Sequence, residues 1–400
     1  MSKQSNKTER RWTVVVGAVM IQLCLGAIYA WSLFNQPLVE KFGWAREEVV
    51  LTFSLTIGMF ALSSVFAGRM QDKVGPRKVA MAGALLLGSG VCLTSIATEL
   101  WQLYLFYGII GGTGVGTTYV TPLATCVKWY PDKRGAISGI AIVGMGLGGM
   151  LFKPVITHFL DTVGVSQAFL YLGAIYFTFI LIGALFLKLP PEDYQPEGWT
   201  PPAGQGANVK HATVGEMVRT KQFYLLWALY LIGCTAGLMV ISIAKDIGVD
   251  YARLSPADAA NIVVSIAIAN ASGRLFWGAA SDKVGRPKVL SAKYLITMGA
   301  LLFLAFGPMS TVSFYASASL LGFCFGGFLA IFPTVVADFY GTKHLGINYG
   351  VLYLAYGAAA FIGPFLNSSM SLQQTFTVAA GMALIAFIGT LFIRHPFSKA

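Results

Sequence analysis

Charged residues are scarce in this sequence. Lysine, arginine, aspartate and glutamate make up 11% of its 400 residues, whereas about a quarter of the residues of a soluble domain are charged. Hydrophobic residues make up 56%, and the mean hydropathy is +0.68. So few charges cannot cover a water-facing surface. The composition therefore excludes a soluble globular domain and indicates a membrane protein.

The sequence also lacks the motifs that hold metals, nucleotides or catalytic centres. Its five cysteines lie in apolar stretches and none forms a CxxC pair, which argues against a disulfide framework or a metal site. The run GMGLGG at 144–149 has the spacing of a dinucleotide loop but follows no soluble strand. No Ser-His-Asp set, Cys-His set or carboxylate pair falls in one cavity. We therefore expect neither an enzyme nor a cofactor.

Apolar runs of about 20 residues recur along the chain, and each is long enough to cross a hydrocarbon core of about 30 Å as a helix. This pattern predicts an all-α membrane protein with twelve transmembrane helices. The predicted helices span residues 12–35, 49–68, 79–98, 101–126, 136–157, 166–188, 222–245, 258–280, 289–308, 311–336, 348–370 and 373–393.

Lysine and arginine are distributed unevenly between the connecting segments. Most lie in the segments that face the cytoplasm if both termini are inside, and Lys293, near the start of the ninth predicted helix, is counted with them. The same bias explains the net charge of +11 without nucleic-acid binding. We predict a multi-pass protein of the bacterial cytoplasmic membrane, embedded in lipid as a monomer, with both termini cytoplasmic.

Two copies of one unit follow each other in the sequence. GRMQDKVGPRK at 68–78 returns as GAASDKVGRPK at 278–288, a spacing of 210 residues. KWYPDKRG has a weaker counterpart in DFYGTKHLG, and two glycines of the fourth helix recur in the tenth, at the same spacing. Three coincidences at one spacing indicate an internal duplication.

A long polar stretch rich in proline and glycine separates the two copies. The predicted organisation is an N-terminal six-helix bundle at 1–189, a cytoplasmic linker at 190–221 and a C-terminal six-helix bundle at 222–400. Parallel repeats of this kind place a ligand site near the membrane midplane, where the halves meet.

The repeated G-x-x-x-D-K-x-G-[RP]-[RP]-K resembles the signature loop of the major facilitator superfamily, and the likeness covers the whole chain. It implies two pseudo-symmetric six-helix bundles and alternating access. In the two copies, Asp72 and Asp282 are placed to accept hydrogen bonds from neighbouring helix N-termini and arginines. We predict that they form a conformational latch with Arg77 and Arg286. The alternative is that these loops only set the topology.

Arg274, in the stretch ANASGRLFWG of the predicted eighth helix, is the one charged residue from Ala259 through Ser281. An arginine near the membrane centre costs about 2.5 to 3.5 kcal/mol and usually faces a cavity or a partner. No acidic residue occupies the core of a predicted helix to pair with it. Since a guanidinium binds a carboxylate through two parallel hydrogen bonds, Arg274 is predicted to bind a small organic anion. Asn270, one turn earlier, would donate to that anion, orient the arginine or bridge two helices.

Four tyrosines lie at depths where they can enclose a small carboxylate. Tyrosines also pack helices and form interfacial belts, so packing is the alternative for each. The candidate substrate contacts are Tyr29, Tyr119, Tyr353 and Tyr356.

Within the superfamily, ANASGRLFWGAASDKVGR and AIYAWSLF resemble the oxalate/formate antiporter group and related monocarboxylate carriers, including bacterial pyruvate carriers. The resemblance implies that Arg274 binds the substrate carboxylate. The oxalate carrier has a lysine where this sequence has Tyr356, and a single buried cation favours a monocarboxylate such as pyruvate or lactate over oxalate. The animal carriers have an aspartate where this sequence has Asn270, so the likeness does not extend to their proton-coupling arrangement.

The expected function is secondary transport of a small carboxylate by alternating access. Anion exchange and proton symport both fit, the proton travelling on the substrate or through a peripheral group such as Asp246 or His158. An oxalate/formate-type dicarboxylate exchanger is the alternative, and a membrane sensor that binds the anion without moving it is a more remote one. A carrier for sugars or drugs would not need Arg274.

Overall fold

A computed structural model of the chain describes residues 2–191, 194–196, 211–242, 247–248 and 253–397. These residues are almost entirely helical and include no β-strand. Within this part of the chain, nine helices are long and apolar enough to cross a membrane. The predicted all-α membrane fold is confirmed.

The helices before residue 190 include two departures from α-helical geometry. A 3-10 turn, Ala27–Ala30, follows the first helix, and a π-helical segment, Tyr104–Gly111, continues the fifth. The helices are α1 (Ser2–Gly26), α2 (Ser32–Phe42), α3 (Arg46–Val74), α4 (Pro76–Thr94), α5 (Leu100–Leu103), α6 (Gly112–Trp129) and α7 (Arg134–Phe186).

The long helix α7 contains the predicted span 136–157 and most of the span 166–188. The chain breaks at Gly164, where φ is 77° and ψ is 168°. Glycine adopts this backbone conformation without the steric clash that a Cβ would introduce. The 53 residues of α7 are therefore two helices joined at a one-residue kink.

The second half of the described chain repeats the pattern of long apolar helices. Its helices are α8 (Val214–Met217), α9 (Lys221–Ser242), α10 (Pro256–Val284), α11 (Arg286–Phe306), α12 (Thr311–Tyr340), α13 (Leu345–Ser369) and α14 (Leu372–Thr390).

The described chain divides into two compact units. The first contains 1–132, 140–211 and 340–354, and the second contains 133–139, 212–339 and 355–400. A short segment of each sequence repeat therefore packs within the unit formed mainly by the other repeat. The predicted division into bundles at 1–189 and 222–400 stays a prediction, and much of the 190–221 linker lies outside the described residues.

Candidate functional site

Arg274 lies in α10 with none of its surface exposed. Its Nε donates a hydrogen bond of 2.8 Å to Oδ1 of Asn270, one helical turn earlier, and Asn270 is itself buried. A hydrogen bond through Nε restrains the plane of the guanidinium. In this geometry Asn270 therefore orients the arginine.

The position of Asn270 is restrained by α12. A Cβ placed on Gly326 would lie 2.8 Å from Oδ1 of Asn270 and would overlap its carbonyl oxygen. Only glycine permits so close an approach of the two helices. The contact of α12 with α10 thus restrains Asn270 and, through it, Arg274.

A second basic residue, Lys293 of α11, is also completely buried. Its Nζ lies 3.5 Å from the ring centroid of Phe328 in α12, a position where an ammonium is attracted by the ring face. No hydrogen-bond acceptor among the described residues reaches this Nζ. Cys234 of α9 lies within electrostatic range of both Lys293 and Arg274, so the two basic groups share one region of the second unit.

The burial of Lys293 corrects the sequence interpretation. Counting it with the cytoplasmic basic residues is wrong, and the count of one buried cation is wrong with it. The one relevant signal in the sequence is the depth of Lys293, about 10 Å along α11 from Arg286 at about 1.5 Å per residue. A lysine at that depth can also extend its side chain to the headgroups, so the depth alone does not indicate burial.

Two of the four candidate tyrosines come together in the first unit. Tyr119 of α6 and Tyr353 of α13 are buried, and their ring centroids are 4.9 Å apart. Phe60 of α3 completes the cluster, at 5.1 Å from Tyr119 and 5.3 Å from Tyr353. Three helices therefore meet through this aromatic group.

The other two candidate tyrosines lie elsewhere. Tyr356 is buried in the second unit, where its ring stacks on Phe325 at a centroid distance of 6.5 Å. Tyr29 is half-buried in the 3-10 turn after α1. Of the peripheral groups considered for a proton, His158 is exposed and Asp246 lies outside the described residues.

Asp282, in the last turn of α10, contacts the first turns of α7 and α11 within the second unit. Its two carboxylate oxygens accept hydrogen bonds of 2.9 and 2.8 Å from the backbone amides of Gly135 and Ala136, in the first turn of α7. Arg286 lies 2.6 Å from the same carboxylate. A carboxylate at a helix N-terminus satisfies otherwise unbonded amides and complements the helix dipole.

Asp338 of α12 extends this network, although it was not predicted. Its carboxylate lies 2.7 Å from Nη1 of Arg134 and 3.1 Å from Nε of Arg286. The weak repeat KWYPDKRG to DFYGTKHLG contains both Arg134 and Asp338, but nothing in their spacing predicts that they meet.

Asp72 occupies the corresponding place in the first unit. Its carboxylate accepts a hydrogen bond of 3.2 Å from the backbone amide of Ile347, in the first turn of α13, and lies 3.3 Å from Nζ of Lys128. Lys128 was not among the predicted residues. As with Asp282, the carboxylate meets the N-terminus of a helix from the opposite sequence repeat.

Arg286 pairs with the aspartate of its loop, whereas Arg77 binds elsewhere. It is exposed, and its Nη2 donates to the carbonyl oxygen of Leu185 at 2.5 Å. The order of arginine and proline is reversed in the two loops, so Arg286 is the first residue of α11 and Arg77 the second of α4. Successive helical residues point about 100° apart, which turns Arg77 away from Asp72.

Tight turns precede both helices. Gly75 has φ of 89° and Gly285 has φ of 97°, conformations that strain residues with a Cβ. These turns let α3 and α4, and likewise α10 and α11, follow each other with one intervening residue. Each aspartate is thereby kept close to the start of the following helix.

Tyr130 belongs to a further polar cluster at the end of α6. Arg11 lies 2.9 Å from Asp132, and its guanidinium lies 4.0 Å from the Tyr130 ring centroid. Burial raises the pKa of Tyr130 to about 12, although the nearby Arg11 acts in the opposite direction. The phenol therefore stays protonated at neutral pH.

The sequence and the fold agree on the family. The family model of the Major Facilitator Superfamily matches residues 15–244 and 232–400, which together cover most of the chain. This protein belongs to the major facilitator superfamily. Membership of this family indicates a membrane transporter.

Curated relatives extend over nearly the full length. The chain is 38% identical over 353 residues to an uncharacterized MFS-type transporter, YhjX, of Escherichia coli, covering 88% of this chain and 86% of the relative. It is 30% identical over 398 residues to the oxalate:formate antiporter of Oxalobacter formigenes, covering 96% and 91%. It is 26% identical over 514 aligned positions to apicoplast pyruvate carrier 1 of Toxoplasma gondii, covering 100% and 93%.

A solved structure shares the fold. The proton:xylose symporter XylE, bound to 6-bromo-6-deoxy-D-glucose, superposes with a TM-score of 0.73, covering 96% of this chain and 95% of that one. The sequence identity is 13%, so the likeness shows the fold alone. The prediction of a major facilitator fold is confirmed.

Proposed function

We propose that this protein is a secondary transporter of small organic anions, with a monocarboxylate such as pyruvate or lactate as its substrate. It works by alternating access as a monomer in a bacterial cytoplasmic membrane, with both termini cytoplasmic. The observation that carries the proposal is Arg274, a completely buried guanidinium that Asn270 orients from the same helix. The oxalate:formate antiporter and the pyruvate carrier, both similar to this chain, are named for small carboxylates.

The substrate compensates the charge of Arg274. A guanidinium keeps its proton under all physiological conditions, and closing a low-dielectric cavity over it is costly without a counter-ion. A bound carboxylate offsets that cost and favours the occluded state. Binding drives transport only through this difference between the two states.

The tyrosines contribute contacts around the anion. Tyr119 and Tyr353, which pack together with Phe60, carry hydroxyl groups that can donate to a carboxylate. Tyr29, in the 3-10 turn after α1, and Tyr356 of α13 remain proposed contacts. We assign the latch role to Asp72, Asp282 and Arg286, joined by Lys128 and Asp338, and we remove Arg77 from it because of its contact with Leu185.

A dicarboxylate exchanger is the second candidate, and Lys293 favours it. Two buried basic residues in one unit can compensate two carboxylates, as a substrate such as oxalate would require. The orientation of the groups supports the monocarboxylate instead. Arg274 is aligned by a polar partner, whereas Nζ of Lys293 lies against the face of Phe328.

Uptake into proteoliposomes tests the proposal. Labelled pyruvate, lactate, formate and oxalate are compared for the wild type and Arg274→Gln, with Arg219→Gln as the control because Arg219 is exposed in a turn outside the long helices. Losing a charge-assisted, bidentate contact predicts at least about a hundredfold lower monocarboxylate uptake in Arg274→Gln, and wild-type uptake in the control.

Other outcomes identify the alternatives. Uptake of oxalate in preference to every monocarboxylate supports the dicarboxylate exchanger. Pyruvate binding to the purified protein without flux in either direction supports a sensor. Transport unchanged by Arg274→Gln would contradict the anion site and leave a sugar or drug carrier as the better description.

A further inference from the structure

Lys293 is a titratable group that substrate binding to Arg274 does not by itself require. It points into the second unit with no exposed surface, and the face of Phe328 lies 3.5 Å from its Nζ. One turn further along α11, the hydroxyl of Thr297 is also buried. The site thus encloses an amine in a largely apolar surround.

The charge on such a lysine depends on what else occupies the site. An ammonium in a low-dielectric interior is unfavourable unless an anion compensates it, whereas a neutral amine needs no counter-ion. Lysine can lose its proton when buried, and arginine cannot. Of Arg274 and Lys293, the two buried basic residues in the described part of the second unit, only Lys293 can therefore change its charge during transport.

We propose that Lys293 takes up a proton when the transported monocarboxylate binds and releases it when the anion leaves, which makes the protein a proton–anion symporter. This inference rests on the proposed function, because the carboxylate on Arg274 provides the negative charge. The proton adds to the lone pair of Nζ from the side on which the anion enters. It returns to solution on the other side, and no other bond forms or breaks.

The charges balance over such a cycle. Lys293 is neutral in the empty site. A monocarboxylate and a proton bring one negative and one positive charge, so binding both adds no net charge to the site. Loaded and empty carriers therefore change conformation with the same net charge, so closing over the site needs no further counter-ion.

The ionisable groups described around Lys293 keep their charge state at neutral pH, so Lys293 is the proposed site of proton uptake. Arg274 on α10 keeps its charge, and the thiols of Cys234 on α9 and Cys324 on α12 are uncharged at neutral pH when enclosed in apolar surroundings. On α11 itself, Tyr294 is buried and donates its hydroxyl to the carbonyl oxygen of Leu229. Helix α14, which packs along α11, contains no titratable side chain.

The wild type alone gives the first test. Pyruvate is added to purified protein in weakly buffered detergent solution, and the pH is followed with an indicator. Proton uptake linked to anion binding predicts about one proton taken up per pyruvate bound. Pyruvate binding without any proton uptake overturns the inference and leaves the proposed function in place.

Variants in proteoliposomes give the second test, with exchange and concentrative uptake measured separately. In wild type, an inward gradient of about one pH unit is expected to accumulate pyruvate up to about tenfold. Lys293→Met and Lys293→Arg should lose this accumulation while pyruvate exchange stays measurable at an altered rate, because neither side chain takes up and releases a proton. Lys288→Met is the control, since Lys288 is exposed on the same helix.

The result that overturns the assignment is accumulation against the pyruvate gradient that persists in Lys293→Met or in Lys293→Arg. Wild-type protein that exchanges pyruvate but never accumulates it under a pH gradient also overturns the inference, while the proposed function survives. Wild-type protein that transports no carboxylate at all would contradict both the inference and the proposed function.

Discussion

Lys293 and Gly83 stand at corresponding positions, 210 residues apart, yet they meet opposite surroundings. In the second unit, Lys293 of α11 lies over Phe328 of α12. In the first unit, Gly83 of α4 lies so close to α6 that a Cβ would overlap Oγ1 of Thr118, the counterpart of Phe328. The same pair of helices therefore meets through a glycine in one unit and through a lysine and a phenylalanine in the other.

The neighbouring helix pair shows the same contrast. Arg274 and Asn270 of α10 correspond to Ser64 and Phe60 of α3. Oγ of Ser64 donates to the carbonyl oxygen of Phe60 at 2.8 Å, so a neutral bond to the backbone stands where the second unit has a guanidinium and an amide. Equivalent positions of the two repeats therefore carry side chains of different polarity and charge. The basic residues that can bind an anion are concentrated in the second unit.

The largest expected effect comes from removing the glycine that distinguishes the first unit. Gly83→Leu should prevent folding or destabilise the protein strongly, because overpacking a core costs about 1–3 kcal/mol and α4 cannot retreat from Thr118 without losing its contact with α6. Size-exclusion chromatography after heating measures the loss of folded protein. Gly299→Leu, on α11 where a Cβ meets open space, should behave as wild type; equal sensitivity of the two would contradict the packing contrast.

The next effect concerns the charged position itself. Arg274→Ser, which places the residue of the first unit in the second, should lower pyruvate uptake at least about a hundredfold, as expected for the loss of a charge-assisted bidentate contact. Ser64→Ala removes only a hydroxyl bonded to the backbone and should keep uptake within about threefold, since such a bond contributes about 1 kcal/mol. Comparable losses in both variants would show that the units do not differ in function.

A smaller effect should follow from displacing Asn270 without changing it. In Gly326→Ala the new methyl group would press on the amide of Asn270 and misalign Arg274, which predicts about a tenfold lower pyruvate affinity, equivalent to about 1.4 kcal/mol. Gly116→Ala, the equivalent change in the first unit, meets Phe60 and Ser63 instead. It should lower thermal stability while the affinity of the remaining folded protein stays unchanged, and isothermal titration distinguishes the two results.

The smallest effect concerns the two loops. Exchanging Pro76 and Arg77, as the double substitution P76R/R77P, would give α4 the order found in α11 and direct an arginine toward Asp72. A partly exposed ion pair contributes about 0.2–1 kcal/mol, so the rate of pyruvate exchange should fall by no more than about fivefold as the latch becomes harder to open. If P76R/R77P leaves the rate of pyruvate exchange unchanged while Asp72→Asn lowers it, Asp72 contributes to the latch without an arginine partner.

Several features followed from the sequence because they depend on residues near one another along the chain. Apolar runs of sufficient length predicted the helices, and the repeated loop predicted the duplication and the family. Arg274 was recognisable as a candidate site because a charge in an apolar helix is conspicuous wherever the helix faces. The carboxylates of Asp72 and Asp282 were expected to meet helix N-termini, and both do so in the structure.

Other features required the tertiary structure because they join residues distant in sequence. The partners of Asp72 and Arg286 include Ile347 and Asp338, at separations that no local pattern predicts. Tyr119 and Tyr353 are in contact, but Tyr356 lies in the other unit, although it is only three positions after Tyr353 in the sequence.

Lys293 illustrates the limit most clearly. A helix in a membrane is apolar on every side, so its sequence does not indicate which face meets protein and which meets lipid. A lysine near the end of such a helix is therefore assigned to the cytoplasmic side of the membrane, unless the helix that packs on it is known. Local composition was enough to predict that this chain crosses a membrane and carries a buried arginine. The burial of a lysine in the same unit depends on how α11 packs on α12.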